Sequence, residues 1–237
     1  MKKAAAASVS VPSVLVGRLP ITDVSPTVES GRLAAKAVVG EAIPIEATVF
    51  REGHGAIGVD AILRRPDGSE HSRARMESVG QGLDRWRAIV SPDAEGPWSF
   101  AIEAWADPFA TWLHRASVKV AAGSDIELEL EEGARLIERL GGLPTTAATL
   151  RNIDLPPMVR LAAAQDPEVV TRALEQPLRE LRTTSESWPL LVERRRALVG
   201  SWYEFFPRSE GARSRPPRSG TRSEEHTSEL QSRQYLV

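Results

Sequence analysis

Apolar and polar residues alternate with a period of two through the first half of the chain. Ile45, Ala47 and Val49 alternate with Glu46 and Thr48, the signature of a half-buried strand. Ile57, Val59, Ala61 and Leu63 share one face with Asp60 on the other, and Pro66-Asp67-Gly68 then supplies turn chemistry. Trp86, Ala88 and Val90 form a further strand closed by Ser91-Pro92-Asp93. Trp98, Phe100, Ile102 and Ala104 line one face against Ser99 and Glu103, and Trp112, Ala116, Val118 and Val120 alternate with Arg115, Ser117 and Lys119. Short strands at this spacing, with no helix between them, predict an antiparallel β-sandwich of immunoglobulin or fibronectin type over residues 18–122.

The period changes in the second half. Leu130, Ala134 and Ile137 share a helical face behind the acidic start Glu127, Glu129, Glu131 and Glu132, with Arg135 and Arg139 following, which suits the helix macrodipole. Ile126, Leu128 and Leu130 alternate like a strand, so the start of this element reads either way. Gly141-Gly142 ends it. Pro156-Pro157 and Asp166-Pro167 open two more helices, and Pro177 and Trp188-Pro189 are read as opening another two, closed by Gly200. The apolar stripes pack against one another, predicting a small helical bundle over 123–200. Beyond it, Trp202-Tyr-Glu-Phe-Phe is apolar on both faces, as a central parallel strand requires.

Composition narrows the function classes. The chain has 237 residues, 30 Lys+Arg against 32 Asp+Glu and a net charge of −2. No basic excess exists to displace counterions, which argues against a nucleic-acid partner. The absence of Cys excludes disulfides and thiolate chemistry. No apolar run approaches the roughly 18 residues of a membrane span, so no membrane partner is expected. A (β/α)8 barrel occupies about 250 residues by itself, so a barrel enzyme would hold its chemistry outside this chain.

The two ends read differently from the rest. Residues 1–17 begin with Met1-Lys-Lys, but Ser8, Ser10, Pro12 and Ser13 dilute the apolar stretch, so a flexible lead is expected rather than a signal peptide. Arg222-Ser-Glu-Glu-His-Thr-Ser-Glu-Leu-Gln-Ser, followed by Arg233-Gln-Tyr-Leu-Val, is polar enough for a disordered tail. Residues 222–232 also resemble, residue for residue, the translation of a common DNA-sequencing adapter, whose index bases would give Arg233-Gln234 and whose constant stretch beyond the index would give Tyr235-Leu-Val. Residues 222–237 are therefore expected to be an adapter-derived artefact, and the native chain to be truncated before them.

Candidate chemistry is sparse. Six tryptophans invite a sugar-stacking reading, but Trp98 and Trp112 share a side with apolar neighbours and are expected in the core. Trp105 has the opposite parity and is the one candidate for an exposed stacker or interface anchor. Glu52-Gly53-His54-Gly55 lacks a second ligand at metal spacing and reads as a polar loop. No carboxylate–histidine helix motif marks a metal and no glycine-rich turn marks a phosphate site.

One set of residues carries a family resemblance. It comprises Arg18-Leu-Pro-Ile-Thr-Asp-Val-Ser-Pro, Ala47-Thr-Val-Phe-Arg-Glu-Gly-His, Asp84-Arg-Trp, Gly96-Pro-Trp-Ser-Phe and Glu103-Ala-Trp-Ala-Asp-Pro. Thr111-Trp, Glu131-Glu-Gly-Ala-Arg-Leu, Pro189-Leu-Leu-Val-Glu-Arg and Trp202-Tyr-Glu-Phe-Phe-Pro-Arg-Ser continue it. Over residues 18–209, with a poor match between 141 and 180, the chain resembles the N-terminal part of the bacterial maltose-1-phosphate maltosyltransferases of the α-amylase-like superfamily. The resemblance implies a β-sandwich and a helical insert ahead of a (β/α)8 barrel, with residues 201–221 as the barrel's first strand. It implies transfer of maltosyl units from α-maltose 1-phosphate to the non-reducing end of an α-1,4-glucan by a retaining pair of carboxylates. Those carboxylates belong to later barrel strands, so no catalytic, cofactor-binding or metal residue is assigned to this chain, and no cofactor is expected. The N-terminal lead points to a cytoplasmic location, and the resemblance further implies homodimerisation through the N-terminal domains, with Trp105 and the helical face as candidate surfaces. α-Glucan and maltose 1-phosphate would be partners of the full-length enzyme only. The alternatives are a glucan-binding module and a dimer-forming scaffold without catalysis.

Overall fold

The structure, a computed structural model, describes residues 18–80, 82–200, 213–214 and 217–218. The first unit runs to Glu193. Eight strands come first: β1 (Ile21–Ser25), β2 (Ala35–Val38), β3 (Ile43–Val49), β4 (Ile57–Arg64), β5 (Glu70–Arg75), β6 (Glu77–Ser78), β7 (Arg85–Val90) and β8 (Gly96–Ala106). Five helices follow: α1 (Pro108–Ala121), α2 (Ile126–Leu140), α3 (Pro144–Arg151), α4 (Pro157–Ala163) and α5 (Pro167–Glu175). Two strands, β9 (Glu180–Thr184) and β10 (Trp188–Glu193), then return to the sheet. In the second unit, β11 (Arg213–Ser214) pairs antiparallel with β12 (Pro217–Arg218). The aromatic strand expected at 202–206 lies outside the described residues.

Alternation builds a sandwich-like core. One sheet has the order β1-β3-β7-β6, and the other the order β2-β10-β8-β4-β5 with β9 also on β8. Ile43, Ile45, Ala47 and Val49 of β3 meet Val59, Ala61 and Leu63 of β4 and Trp98, Phe100, Ile102 and Ala104 of β8 in one apolar cluster. The Pro66-Asp67-Gly68 turn forms as its chemistry predicts: Asp67 Oδ1 accepts the Ser69 amide at 2.8 Å, and Gly68 takes φ +84°. Glu52–Gly55 lies in the loop between β3 and β4.

β8 is the longest strand, with 11 residues, and the sheet is organised on it. Along one edge it pairs with β4, Ile57 opposite Ala106 through Arg64 opposite Ser99. Along the other it pairs first with β10, Leu190 opposite Trp98, and then with β9, Thr184 opposite Glu103. β10 also pairs in parallel with β2, Leu190 opposite Ala35. The strands that follow the helices therefore complete a sheet begun by the strands that precede them.

Two expectations are corrected here. Trp112, Ala116, Val118 and Val120 lie on helix α1, not on a strand. Asp107 caps the helix by accepting the Ala110 amide at 2.9 Å, and Pro108 occupies its first turn. The buried set Phe109, Trp112, Ala116 and Val120 follows helical spacing, while Val118 is 61% exposed. The second correction concerns the segment after α5, where helices were expected from Pro177 and Trp188 and strands β9 and β10 form instead. The apolar positions Leu190 and Val192 alternate there, which is strand periodicity in a run too short for a helical stripe. The helices thus span 108–175, and both flanking segments belong to the sheet.

The helices share a second apolar cluster, to which α1 contributes Trp112 and α2 contributes Leu130, Ala134 and Ile137. Trp112 packs closely against Gly133: a Cβ at that glycine would fall inside 3.0 Å of the indole. Helix propensity by itself would make Gly133→Ala favourable by about 1 kcal/mol. Close packing reverses the sign. Gly133→Ala is expected to destabilise the chain by roughly 1–3 kcal/mol in urea unfolding, and an unchanged or raised midpoint would refute the packing account.

Candidate functional site

Trp105, the proposed exposed stacker, is 0% exposed. Strand parity correctly places it on the side of β8 opposite the sandwich core, but that side is buried too. Its cross-strand neighbour is Gly58, and a Cβ there would collide with the indole. The guanidinium groups of Arg75 and Arg179 lie over the ring at 4.7 and 4.2 Å from its centroid. No ring face remains for a sugar.

Those arginines belong to the most concentrated group of charges in the described residues. The β4–β8 register sets Asp60 directly opposite Glu103. Their strand neighbours Val59, Ala61, Ile102 and Ala104 point into the core, so both carboxylates share the outer face. Like charges in a cross-strand pair repel. Three arginines offset the repulsion. Arg75 Nε donates to Asp60 Oδ1 at 2.8 Å, and Arg73 Nη1 reaches Asp60 Oδ2 at 3.3 Å and Glu103 Oε1 at 3.0 Å. Arg179, just before β9, donates Nη2 to Asp60 Oδ2 at 2.9 Å and Nη1 to Glu103 Oε1. Glu70 accepts from Arg73 Nη2 at 3.0 Å, giving three acids against three bases.

Two neighbouring carboxylates on one face are what retaining glycosyl transfer requires. Chemically, however, this pair is committed elsewhere. The side chains of Asp60 and Glu103 are only 3% and 10% exposed. Burial pulls the Arg73 guanidinium toward neutrality, yet its bonds to Glu70 and its attraction to Glu103 and Asp60 hold it more firmly protonated than usual. The oxygens of Asp60 and Glu103 are taken up by guanidinium groups of Arg73, Arg75 and Arg179, which leaves the pair engaged in structure. The cluster is a neutral structural clasp joining β4, β5, β8 and the segment entering β9.

Smaller clasps hold the helices. Glu129, buried in α2, is bracketed by Arg115 at 3.0 Å and Lys119 at 2.9 Å from α1, and Trp112 Nε1 donates to its carbonyl at 2.7 Å. Arg160 of α4 is buried and forks onto both oxygens of Glu127 at 2.8 and 2.9 Å, while its Nε donates to the Leu150 carbonyl. Bonds from Arg151 and Arg135 hold the Glu131 carboxyl down at about 2, whereas burial pushes Asp107 above the ordinary range. A shallow cavity of about 420 Å³ lies between the Gly141-Gly142 turn and α5. Its one cation, Arg172, stands between Glu168 and Glu175, so it has no net attraction for an anion.

None of the cluster residues was singled out from the sequence. The available signal was Asp60 and Glu103 as acidic residues within strands otherwise mostly apolar, near the alternating Arg73 and Arg75. Arg179 carried no signal, because the strand it introduces was read as a helix.

Comparison with known proteins adds the context that the geometry lacks. Residues 17–194 match the family described as alpha-1,4-glucan:maltose-1-phosphate maltosyltransferase, domain N/S. The chain belongs to this family. The maltosyltransferase matched region takes in both sheets and all five helices and ends one residue after β10. Among curated relatives, alpha-1,4-glucan:maltose-1-phosphate maltosyltransferase 1 of Streptomyces coelicolor is 48% identical over 221 residues, covering 89% of this chain and 33% of that protein. The Arcanobacterium haemolyticum maltosyltransferase is 42% identical, with 86% of this chain and 31% of the relative covered. That of Mycobacterium tuberculosis is 35% identical, with 82% and 32% covered. The chain spans about a third of the length of the curated relatives it matches.

A clasp of this kind has a measurable consequence. Asp60→Asn removes the charge that three arginines face and should cost about 3 kcal/mol in urea unfolding. Glu46→Gln breaks the more exposed pair with Arg85 on β7 and should cost about 1 kcal/mol or less. Equal effects at the two positions would contradict the structural role given to Asp60.

Proposed function

We propose that this chain is the N-terminal, non-catalytic portion of an enzyme that transfers maltosyl units from α-maltose 1-phosphate to the non-reducing end of an α-1,4-glucan. The observation that carries the proposal is the match of residues 17–194 to the N/S domain of the maltosyltransferase family, in a chain about a third as long as its relatives. The full engagement of Asp60 and Glu103 supports the same reading, because the paired carboxylates present here are not free for chemistry.

In this reading the sandwich is immunoglobulin-like, residues 201–221 begin the (β/α)8 barrel that holds catalysis, and residues 222–237 are foreign. The enzyme works in the cytoplasm on soluble substrates, and no helix among the described residues is long and apolar enough to cross a membrane. Two copies associate through the N-terminal domains. Exposed apolar residues of the helical segment, Leu128 on α2, Met158 and Val159 on α4 and Ile153 in the turn before α4, are the candidate surface for that contact, in place of the buried Trp105.

The purified chain, incubated with α-maltose 1-phosphate and glycogen, is expected to release no inorganic phosphate. Phosphate release above the substrate blank would overturn the non-catalytic assignment. Light scattering of the same sample should give twice the chain mass, and a strict monomer at high concentration would remove the dimerisation claim.

A further inference from the structure

The two strands that follow the helices are held to β8 by different physics. β10 buries Leu190 and Val192, at 1% and 2% exposure, between β2 and β8. β9 has the sequence Glu-Leu-Arg-Thr-Thr, and four of its five residues are exposed. Its one large apolar residue, Leu181, is 46% exposed and sits at φ +52°, a conformation costly for a side chain of that size. The β9–β8 register shifts between Ala104 and Ala106, so the ladder is interrupted as well.

What holds β9 in place is polar. Arg179 at its entrance binds Asp60 and Glu103, Glu180 accepts from Arg139 of α2 at 2.7 Å, and Ser185 at its exit exchanges bonds with the Ile102 backbone at 2.8 and 2.9 Å. Arg75, from the same cluster, also donates to the Leu174 carbonyl near the end of α5. We propose that residues 179–185 form a releasable strap, clasped by charge rather than by apolar burial, that opens while the rest of the sheet remains folded. Opening frees the edge of β8 from Glu103 to Ala106 and lifts the Arg179 guanidinium from the Trp105 ring. Segments with few buried apolar contacts open at lower free energy than the core, and a strap of this composition lies at that end of the range.

Native-state hydrogen exchange on the full chain, read by mass spectrometry, tests the strap. The amides of 180–185 should exchange well before those of β10 and β3, with weak urea dependence, while β10 opens only with global unfolding. Arg179→Ala should speed exchange of 180–185 by about tenfold or more and leave the rates in β3 and β7 within twofold. Arg139→Ala spares the buried cluster and serves if Arg179→Ala does not fold; it should accelerate the same segment by a smaller factor. Protection of β9 equal to that of β10 in the unaltered chain would overturn the proposal. So would acceleration spread evenly over all strands in the variants, since the segment would then be an ordinary part of the core.

Discussion

The pairing of β8 with strands from both ends of the unit is the constraint on which the rest depends. Leu190 lies opposite Trp98, and five helices are folded into the chain between them. β10 also supplies β2 with its only partner in the sheet order, so without the returning strands both β2 and one whole edge of β8 are unpaired. An exposed edge of that length is an aggregation template, and the fold removes it by bringing the chain back. The helices are in this sense an insertion into a sheet, not a second domain appended to it.

Closing a sheet across so long an excursion has an entropic cost, and the structure offsets it in two ways. Leu190 and Val192 add apolar burial where β10 enters the core. Arg179 adds charge where the chain leaves the helices, completing a cluster that would otherwise hold Asp60 opposite Glu103 with fewer cations. Two buried carboxylates on adjacent strands make sense only in this context. They create a demand for cations on the outer face that the returning segment meets, so the cluster specifies where that segment docks. Trp105 belongs to the same arrangement, packed closely on Gly58 with the Arg75 and Arg179 guanidinium groups over its ring.

Much of this was legible in the residues. The alternation in β3, β4, β7 and β8 located the first sandwich strands, and the proline and glycine signals located α2, α4 and α5. The failures have a common cause. Residues 112–120 alternate by coincidence of Ala116, Val118 and Val120, and the deciding signal was the Asp107-Pro108 cap. Residues 180–193 were drawn into the helical reading by two prolines, although Pro189 sits within a strand whose partners lie far earlier in the chain, near Trp98 and Ala35. Local periodicity carries no information about such partners. For the same reason Trp105 was judged by parity within its own strand, whereas its burial depends on Gly58, Arg75 and Arg179 from three other segments. The family resemblance was legible because its motifs are contiguous. The charge cluster was not, because it is assembled from four separate ones.

The central claim is that the sheet, and not the helical segment, is the unit that 180–193 completes. It is tested most directly by comparing two shortened chains by circular dichroism and urea unfolding. One ends at Ala122, and the other joins Asp107 to Arg179 through a flexible glycine-serine linker and ends at Glu193. The account predicts that the bypassed chain unfolds cooperatively with β-sheet content, while the chain ending at Ala122 aggregates or shows no cooperative transition. A cooperative, β-rich, soluble chain ending at Ala122 would contradict it.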